Sequence, residues 1–328
     1  MARAWHLKSR PTGTPTLDNF ELKDAPLPPL GEGMIHLRNR WLSVDPYMRG
    51  RMNDVKSYVP AFQVGEPMDG GAIGEVVESK AEGFATGDLV QHMAGWRDEA
   101  VVDARTAQKL PSLGAPPEQF LGVLGVTGMT AYFGLLDAAS AKRGDVVFVS
   151  AAAGAVGSVV AQIAKAKGMT VIGSAGGPEK CEFVRSLGAD QVIDYKAGSV
   201  LKALAAAAPD GIDVYFDNVG GDHLDAALAI ARNNARFAIC GMIEGYNTGQ
   251  PTTLRFAMRI ISARIRIKGF IVFDYFPRMA EFYGEMGPWI ANGTVKSRET
   301  IVDGLENTAD AFLGLFKGEN TGKMLVRL

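Results

Sequence analysis

Cysteine is nearly absent: Cys181 and Cys240 are the only two in 328 residues. A disulfide framework is excluded, and one bridge at most could form. Both cysteines sit in apolar segments, which predicts buried thiols in a cytoplasmic protein. Histidine is scarce too, with only His6, His36, His92 and His223. No C-x-x-C or H-x-x-x-H pair occurs, so the clustered ligands of a structural zinc site are missing. No apolar run reaches the roughly 18 residues of a membrane span. Neither sign of charge dominates. Lys and Arg number 34 against 36 Asp and Glu, a net charge of −2, and nothing global points to nucleic acid or an anionic membrane. The opening "MARAWHLKSRPTGTPT" has charge but no apolar core, which argues against a secretory signal.

What is present suits a globular chain. Hydrophobic residues make up 47% and charged residues 21%, enough to bury a sizeable core. The length allows two ordinary domains. Residues 1–125 read as β-rich: "MIHLRNRWLSV", "GAIGEVVES", "DLVQHM" and "EAVVDA" lie between Gly- and Pro-rich turns, as in a barrel or sandwich. The texture changes near 126. "VTGMTAYFGLLDAASAKRGD" reads as a helix ending in Gly144. Then strand and helix patterns alternate: "DVVFVSA", a helix over 155–167, "TVIGSA", a helix over 178–187, "QVIDY", a helix over 197–208, "IDVYFDNV", a helix over 222–231, "ARFAICG" and "RIRIKGFIVF". Continuous apolar strands alternating with helices predict a parallel sheet covered on both faces. From about 285 the mixed texture returns, with helices near 281–291 and 306–316. The final "GKMLVRL" reads as a strand closing the first domain. The expected domains are therefore 1–125 with 285–328, and 126–284.

The stretch "VVFVSAAAGAVGSVVAQIAKAKG" carries the clearest chemistry. A strand runs into a tight turn and then a helix, and the helix N-terminus is a ready pyrophosphate site. Gly154 lets the backbone approach a phosphate, and Gly157 lets the helix pack closely on its strand. Ala152 stands where the first glycine of G-x-G-x-x-G is usual, which is acceptable if that position needs no positive φ. The bland alternative is a small-residue turn without a ligand. The strand–turn–helix context and the further βα units favour a dinucleotide. NAD sites usually place an acid at the end of the second strand. Here Ser174, Ala175, Gly176 and Gly177 occupy that place, Lys180 follows, and Tyr195 ends the next strand. Room and positive charge for a 2′-phosphate point to NADPH over NADH.

Several longer stretches resemble one family. They are "NRWLSVDPYMRGRM", "SYVPAFQVGEPMDGGAIGEVVES", "LGVTGMTAYFGL", "FDNVGG", "ICGMIEGYN", "RIKGFIVFDY" and "GENTGKMLVRL". With the glycine turn they resemble the zinc-free NADPH-dependent double-bond reductases of the medium-chain dehydrogenase/reductase superfamily. That group holds the prostaglandin (leukotriene B4 dehydrogenase), alkenal and curcumin reductases. The resemblance spans essentially the whole chain. It implies an α/β architecture: a GroES-like β-barrel domain with an inserted Rossmann doubly wound sheet, an active site in a cleft, and a homodimer.

The resemblance also implies site residues. The pyrophosphate turn would be Gly154, Ala155, Val156 and Gly157, with Lys180 and Tyr195 facing the 2′-phosphate. Thr130 and Asn218 would add cofactor contacts, and Cys240, Gly241 and Tyr246 would lie on a covering loop. Phe270, Ile271 and Val272 would meet the nicotinamide amide, and Asn320 the ribose–phosphate side. Zinc relatives carry a Cys where this chain has Ser43–Asp45, and a His where it has Gly65-Glu66-Pro67. That difference favours conjugate reduction of an enone or enal over alcohol oxidation. Tyr246 and Tyr58 are the candidate catalytic donors to the enolate; Tyr47 reads as structural. Where plant members carry a further tyrosine, this chain has Ser262, so another tyrosine or solvent would supply the proton. Met68, Met129, Met242 and Phe273 could line an apolar wall or simply fill core. Two other readings stay open: a zinc-independent quinone reductase with the same fold and cofactor, or a low-turnover NADPH-binding sensor.

Overall fold

The computed structural model describes residues 2–328. Contacts divide the chain into two units: residues up to Leu121 together with Glu299–Leu328, and Gly122–Arg298.

The first unit is built on one long strand, Met34–Ser43. It pairs antiparallel with Ala72–Ser79, Glu99–Asp103 and the C-terminal strand Lys323–Arg327. The last of these also pairs in parallel with Glu299–Asp303. A separate hairpin joins Ala2–Leu7 to Phe20–Ala25. Alternation along Met34–Ser43 buries Ile35 and Leu37, which pack with Val76 and Val90. The larger core gathers aromatic rings: Phe20 stacks on Trp96 at 6.0 Å, and Phe312 meets Trp96 edge-on at 5.7 Å. Phe312 lies on the helix Thr308–Lys317, so the C-terminal segment completes this core. A buried lysine lies with it. Lys323 donates to the Val44 and Met324 carbonyls at 3.0 and 2.8 Å and pairs with Asp45 at 3.1 Å. Burial pushes the lysine below its usual value, and the Asp45 carboxylate opposes that shift.

The second unit is a six-stranded parallel sheet. Its order is Gln191–Asp194, Thr170–Ala175, Val146–Val149, Ile212–Asp217, Ala231–Ile239, Arg266–Gly269. Val147, Phe148 and Val149 are fully buried in succession, as a strand covered on both faces requires. The two halves diverge at Val146–Val149, where a doubly wound sheet opens its binding crevice.

Several expected boundaries move. Residues 285–298 belong to the second unit, not to the first. The helix Met279–Ala291 packs its Phe282 ring 5.9 Å from Tyr132, whose hydroxyl donates to Glu285 at 2.7 Å. Gln162 then exchanges two hydrogen bonds with the Lys296 backbone. The helix expected to run to Gly144 ends earlier. Val126–Phe133 passes into a wider π turn over Gly134–Ala138, and Ser140 takes a positive φ of 50°. A Cβ at Gly134 would overlap the Phe216 and Phe270 rings, so glycine is required there. The strand read in "RIRIKGFIVF" is only Arg266–Gly269. Phe270 leaves the sheet to pack edge-on to Phe216, and a 3-10 turn Val272–Arg278 follows.

Candidate cofactor and active site

The glycine turn lies at the C-terminal end of Val146–Val149. The helix begins at Gly157, two residues later than expected, because Gly154–Val156 form the turn itself. Gly154 N–H donates to Ala151 O at 2.9 Å, and a Cβ on Gly154 would stand 3.2 Å from that oxygen. A Cβ on Gly157 would overlap the same carbonyl. Ala152 is fully buried, but the left-handed residue is its neighbour Ala151, at φ 48°. A non-glycine residue held there costs about 1–2 kcal/mol. Ala152 itself needs no positive φ, so an alanine is acceptable there.

At the second strand's end Ser174 is fully buried and hydrogen-bonded to His223 at 2.9 Å, so no acid occupies that place. The Tyr195 hydroxyl lies close over Gly176, where a Cβ would force the exposed tyrosine to shift. The nearby acid, Asp194, is spent on the backbone: it accepts from the Gly177 and Lys196 N–H groups at 2.9 Å each, which holds it below the usual carboxylate value. Burial first, then the Lys196 ammonium, pushes Lys180 below the usual lysine value. Two like charges near each other favour an incoming anion. Lys196 is a member of this cluster that the sequence reading missed. Its signal was adjacency to Tyr195, but a solvent-facing lysine carries no pattern of its own.

The next two strand ends are laced together. Asp217, fully buried, accepts from Ser150 Oγ, Tyr215 Oη and the Val219 and Gly220 N–H groups. Its main-chain oxygen receives Cys240 N–H and Gly241 N–H at 2.9 and 3.1 Å. Burial pushes the Asp217 carboxyl up, against those donors. The Asn218 amide donates to Ser150 O at 2.8 Å, so its side chain ties two turns together. Cys181 is buried as expected, but Cys240 is only half-buried; burial of its thiol, then Asp217, pushes it up to about 12. Gly241 leaves room for Tyr246, whose hydroxyl would stand 3.0 Å from a Cβ placed there. The turns at 150–157, 174–180, 194–196, 218–220 and 240–246 thus all sit at the C-terminal ends of neighbouring parallel strands.

Other expected contacts are engaged in packing. Thr130 is buried and donates to Val126 O at 2.7 Å. The Phe270 ring faces Phe216 and Gly134, and Val272 is buried, so a ligand would meet this stretch through its backbone and Ile271. Met68 and Met129 are core, and Ser262 is exposed at the end of the helix Met258–Ser262. In the first unit, Tyr58 is exposed on the loop after the helix Met48–Arg51, and Asn320 donates to Gly322 O at 2.8 Å.

A helix-fronted glycine turn at the switch point, with a basic cluster at the next strand, defines the second unit as a dinucleotide-binding one, and the first unit is β-rich. A family model described as "N-terminal domain of oxidoreductase" matches residues 3–110, and one described as "Zinc-binding dehydrogenase" matches 155–291. The NADPH-dependent curcumin reductase of Escherichia coli K12 is 43% identical, over 99% of this chain and 96% of its own. The 2-alkenal reductase (NADP(+)-dependent) of Nicotiana tabacum is 41% identical, over 98% and 95%. The crystal structure of CurA from Vibrio vulnificus in complex with NADPH superposes with a TM-score of 0.94 at 44% identity, covering 99% of this chain and 98% of that one. The chain belongs to the medium-chain dehydrogenase/reductase family, in the group of the curcumin, prostaglandin and alkenal reductases. It is an oxidoreductase with a GroES-like β-barrel unit and a Rossmann unit.

The zinc in one model's description does not fit these residues. Ser43 donates to Asp45, which pairs with the buried Lys323. Among the described residues no group of three or more His, Cys, Asp or Glu could hold a metal ion. No helix among them is long and apolar enough to cross a membrane.

Proposed function

We propose that this protein reduces the carbon–carbon double bond of α,β-unsaturated ketones and aldehydes, using NADPH and no metal. The observation that carries this reading is near-full-length likeness to two reductases whose named substrates, curcumin and 2-alkenals, share a double bond conjugated to a carbonyl. The residues fit the cofactor: the turn Gly154–Gly157 would hold its pyrophosphate, and Lys180, Tyr195 and Lys196 its 2′-phosphate. When bound, NADPH supplies the hydride that goes to the β-carbon. The chain's own part is to bind, orient and neutralise the enolate charge.

Lys180→Ala is expected to raise the NADPH Kd by roughly ten- to a hundredfold, the loss of one charge-assisted contact worth about 1.5–3 kcal/mol. NADH binding should not change. Lys196→Ala should act in the same direction, and less, because that side chain is exposed. Fluorescence titration of both cofactors reads the difference, and equal losses for NADPH and NADH would refute the assignment.

Tyr246 is proposed as the donor to the enolate oxygen. Its phenol lies over Gly241 on the turn that Asp217 anchors. Tyr246→Phe should lower kcat and kcat/KM together by about ten- to a hundredfold, with little change in KM. Tyr58→Phe should do less. Unchanged turnover in Tyr246→Phe would leave Tyr58 or water as the donor.

The protein is further proposed to work as a cytoplasmic homodimer. Arg266–Gly269 is an edge strand with all four residues exposed, and Met258 and Ile261 beside it are 73% and 72% exposed. An open edge next to exposed apolar side chains is a pairing surface. Light scattering should give twice the chain mass, and Ile261→Asp should reduce it.

A further inference from the structure

His223 is a buried titratable group that the proposed reaction does not use. It stands in the first turn of the helix Gly221–Ile230 and is 5% exposed. Its backbone N–H donates to Gly220 O at 3.1 Å, and Gly220 N–H donates to the Asp217 carboxylate at 2.8 Å. From this anchored turn the ring reaches the ends of three neighbouring strands. It lies parallel to the Phe148 ring of Val146–Val149, with centroids 6.3 Å and planes 10° apart. Its Nε2 is hydrogen-bonded at 2.9 Å to the Oγ of Ser174, in Thr170–Ala175. It then meets the ring of Tyr195, the residue after Gln191–Asp194, in a T at 5.5 Å.

Burial pushes the His223 imidazole down to about 4, against the Asp222 carboxylate. The ring is therefore neutral at neutral pH and brings no charge to an anion. What it brings is a fixed surface, because Phe148 and Ser174 are themselves fully buried. Tyr195 is placed differently, 41% exposed at its strand end. Among the described residues its phenol has no hydrogen-bond partner and no second ring against it. Burial, then Asp194, pushes the phenol up, so it stays protonated and can donate to an anion. A side chain that is loose before binding loses rotamer freedom on binding, and one already confined does not. His223 on one side and the Gly176 backbone on another confine this phenol.

We propose that His223, held by Ser174 and Phe148, is the positioning residue of Tyr195 and thereby sets how strongly the protein prefers a cofactor with a 2′-phosphate to one without. The proposal rests on the reading above that Lys180 and Tyr195 hold that phosphate. His223 acts through the phenol and not on the phosphate.

The test uses the full-length protein and fluorescence titration of NADPH and NADH, with no substrate present. His223→Leu should raise the NADPH Kd by about fivefold, the worth of one edge-to-face aromatic contact, and leave the NADH Kd within about twofold. A purely structural role would weaken both cofactors alike, and that result overturns the proposal. Combining His223→Phe with Ser174→Ala restores the ring and removes the hydroxyl it would strand. NADPH binding should then return to within about twofold of wild type. In a Tyr195→Phe background His223→Leu should cost nothing further, since the donor it positions is gone; an undiminished loss there overturns the proposal. Ser174→Ala alone should raise the NADPH Kd by about threefold, and it decides the matter if His223→Leu does not fold. If Lys180→Ala and Tyr195→Phe lower the preference for NADPH but His223→Leu and Ser174→Ala do not, this inference falls alone. If Lys180→Ala and Tyr195→Phe leave the preference unchanged, the 2′-phosphate assignment falls, and this inference with it.

Discussion

Replacing Gly157 with valine should abolish cofactor binding. A Cβ at this position would overlap the Ala151 carbonyl and crowd the backbone of Ala152. Those atoms are main chain at the end of Val146–Val149, so no rotamer change can relieve the overlap. The helix Gly157–Ala166 would have to move off its strand, taking with it the N–H groups aimed at the pyrophosphate. Overpacking of this kind costs about 1–3 kcal/mol even where the structure can yield. The NADPH Kd should rise by at least about a hundredfold, or roughly 3 kcal/mol. Gly157→Ala should fall between wild type and valine, since it brings the same Cβ without the branch. Far-ultraviolet circular dichroism would separate loss of binding from loss of fold. A folded Gly157→Val protein that binds NADPH normally would remove this turn from the site.

The second large effect is expected on stability. Lys323 is buried, and its ammonium holds Asp45 and the Val44 and Met324 carbonyls. Lys323→Ala would strand those groups without their donor, and breaking a buried pair from one side costs about 3–5 kcal/mol. Urea denaturation followed by tryptophan fluorescence is suited to this, because Trp5 and Trp96 sit in the same core. Asp45→Asn should cost less, since the amide oxygen can still accept from the lysine. A loss below about 1 kcal/mol in Lys323→Ala would mean that the pair contributes little, as exposed pairs do.

These two residues also mark what the sequence could and could not tell. Gly157 was legible because its constraint is local: a strand, a tight turn and a helix within a dozen positions. The missing acid at Ser174–Gly177 was legible for the same reason. Lys323 was not. Its partner carbonyl at Val44 lies 279 positions away, and a lysine in "GKMLVRL" reads as a solvated strand residue until the pairing with Met34–Ser43 is known. Ala152 has no positive φ, which is the condition on which an alanine was acceptable there; the positive φ of Ala151 carried no signal, because the glycine pattern marks where glycine is usual and not where the backbone turns left-handed. Asn218 was read as a cofactor contact from the resemblance; that its amide also donates to the Ser150 carbonyl, in the turn after Val146–Val149, could not be read from spacing. The boundary near 285 failed because the helix Met279–Ala291 has the same amphipathic texture whichever unit it joins. Contacts distant in sequence assign it, Phe282 and Glu285 on Tyr132 among them.

The reaction itself is tested most directly by product analysis. The purified protein is mixed with an enone and NADPH carrying deuterium at the transferring position, before and after EDTA treatment, and the products are read by mass spectrometry and proton NMR. The expected product is the saturated ketone, its carbonyl intact, with one deuterium on the β-carbon and an unchanged rate after chelation. An allylic alcohol, consumption of NADPH with quinones alone, or activity lost to EDTA would contradict it.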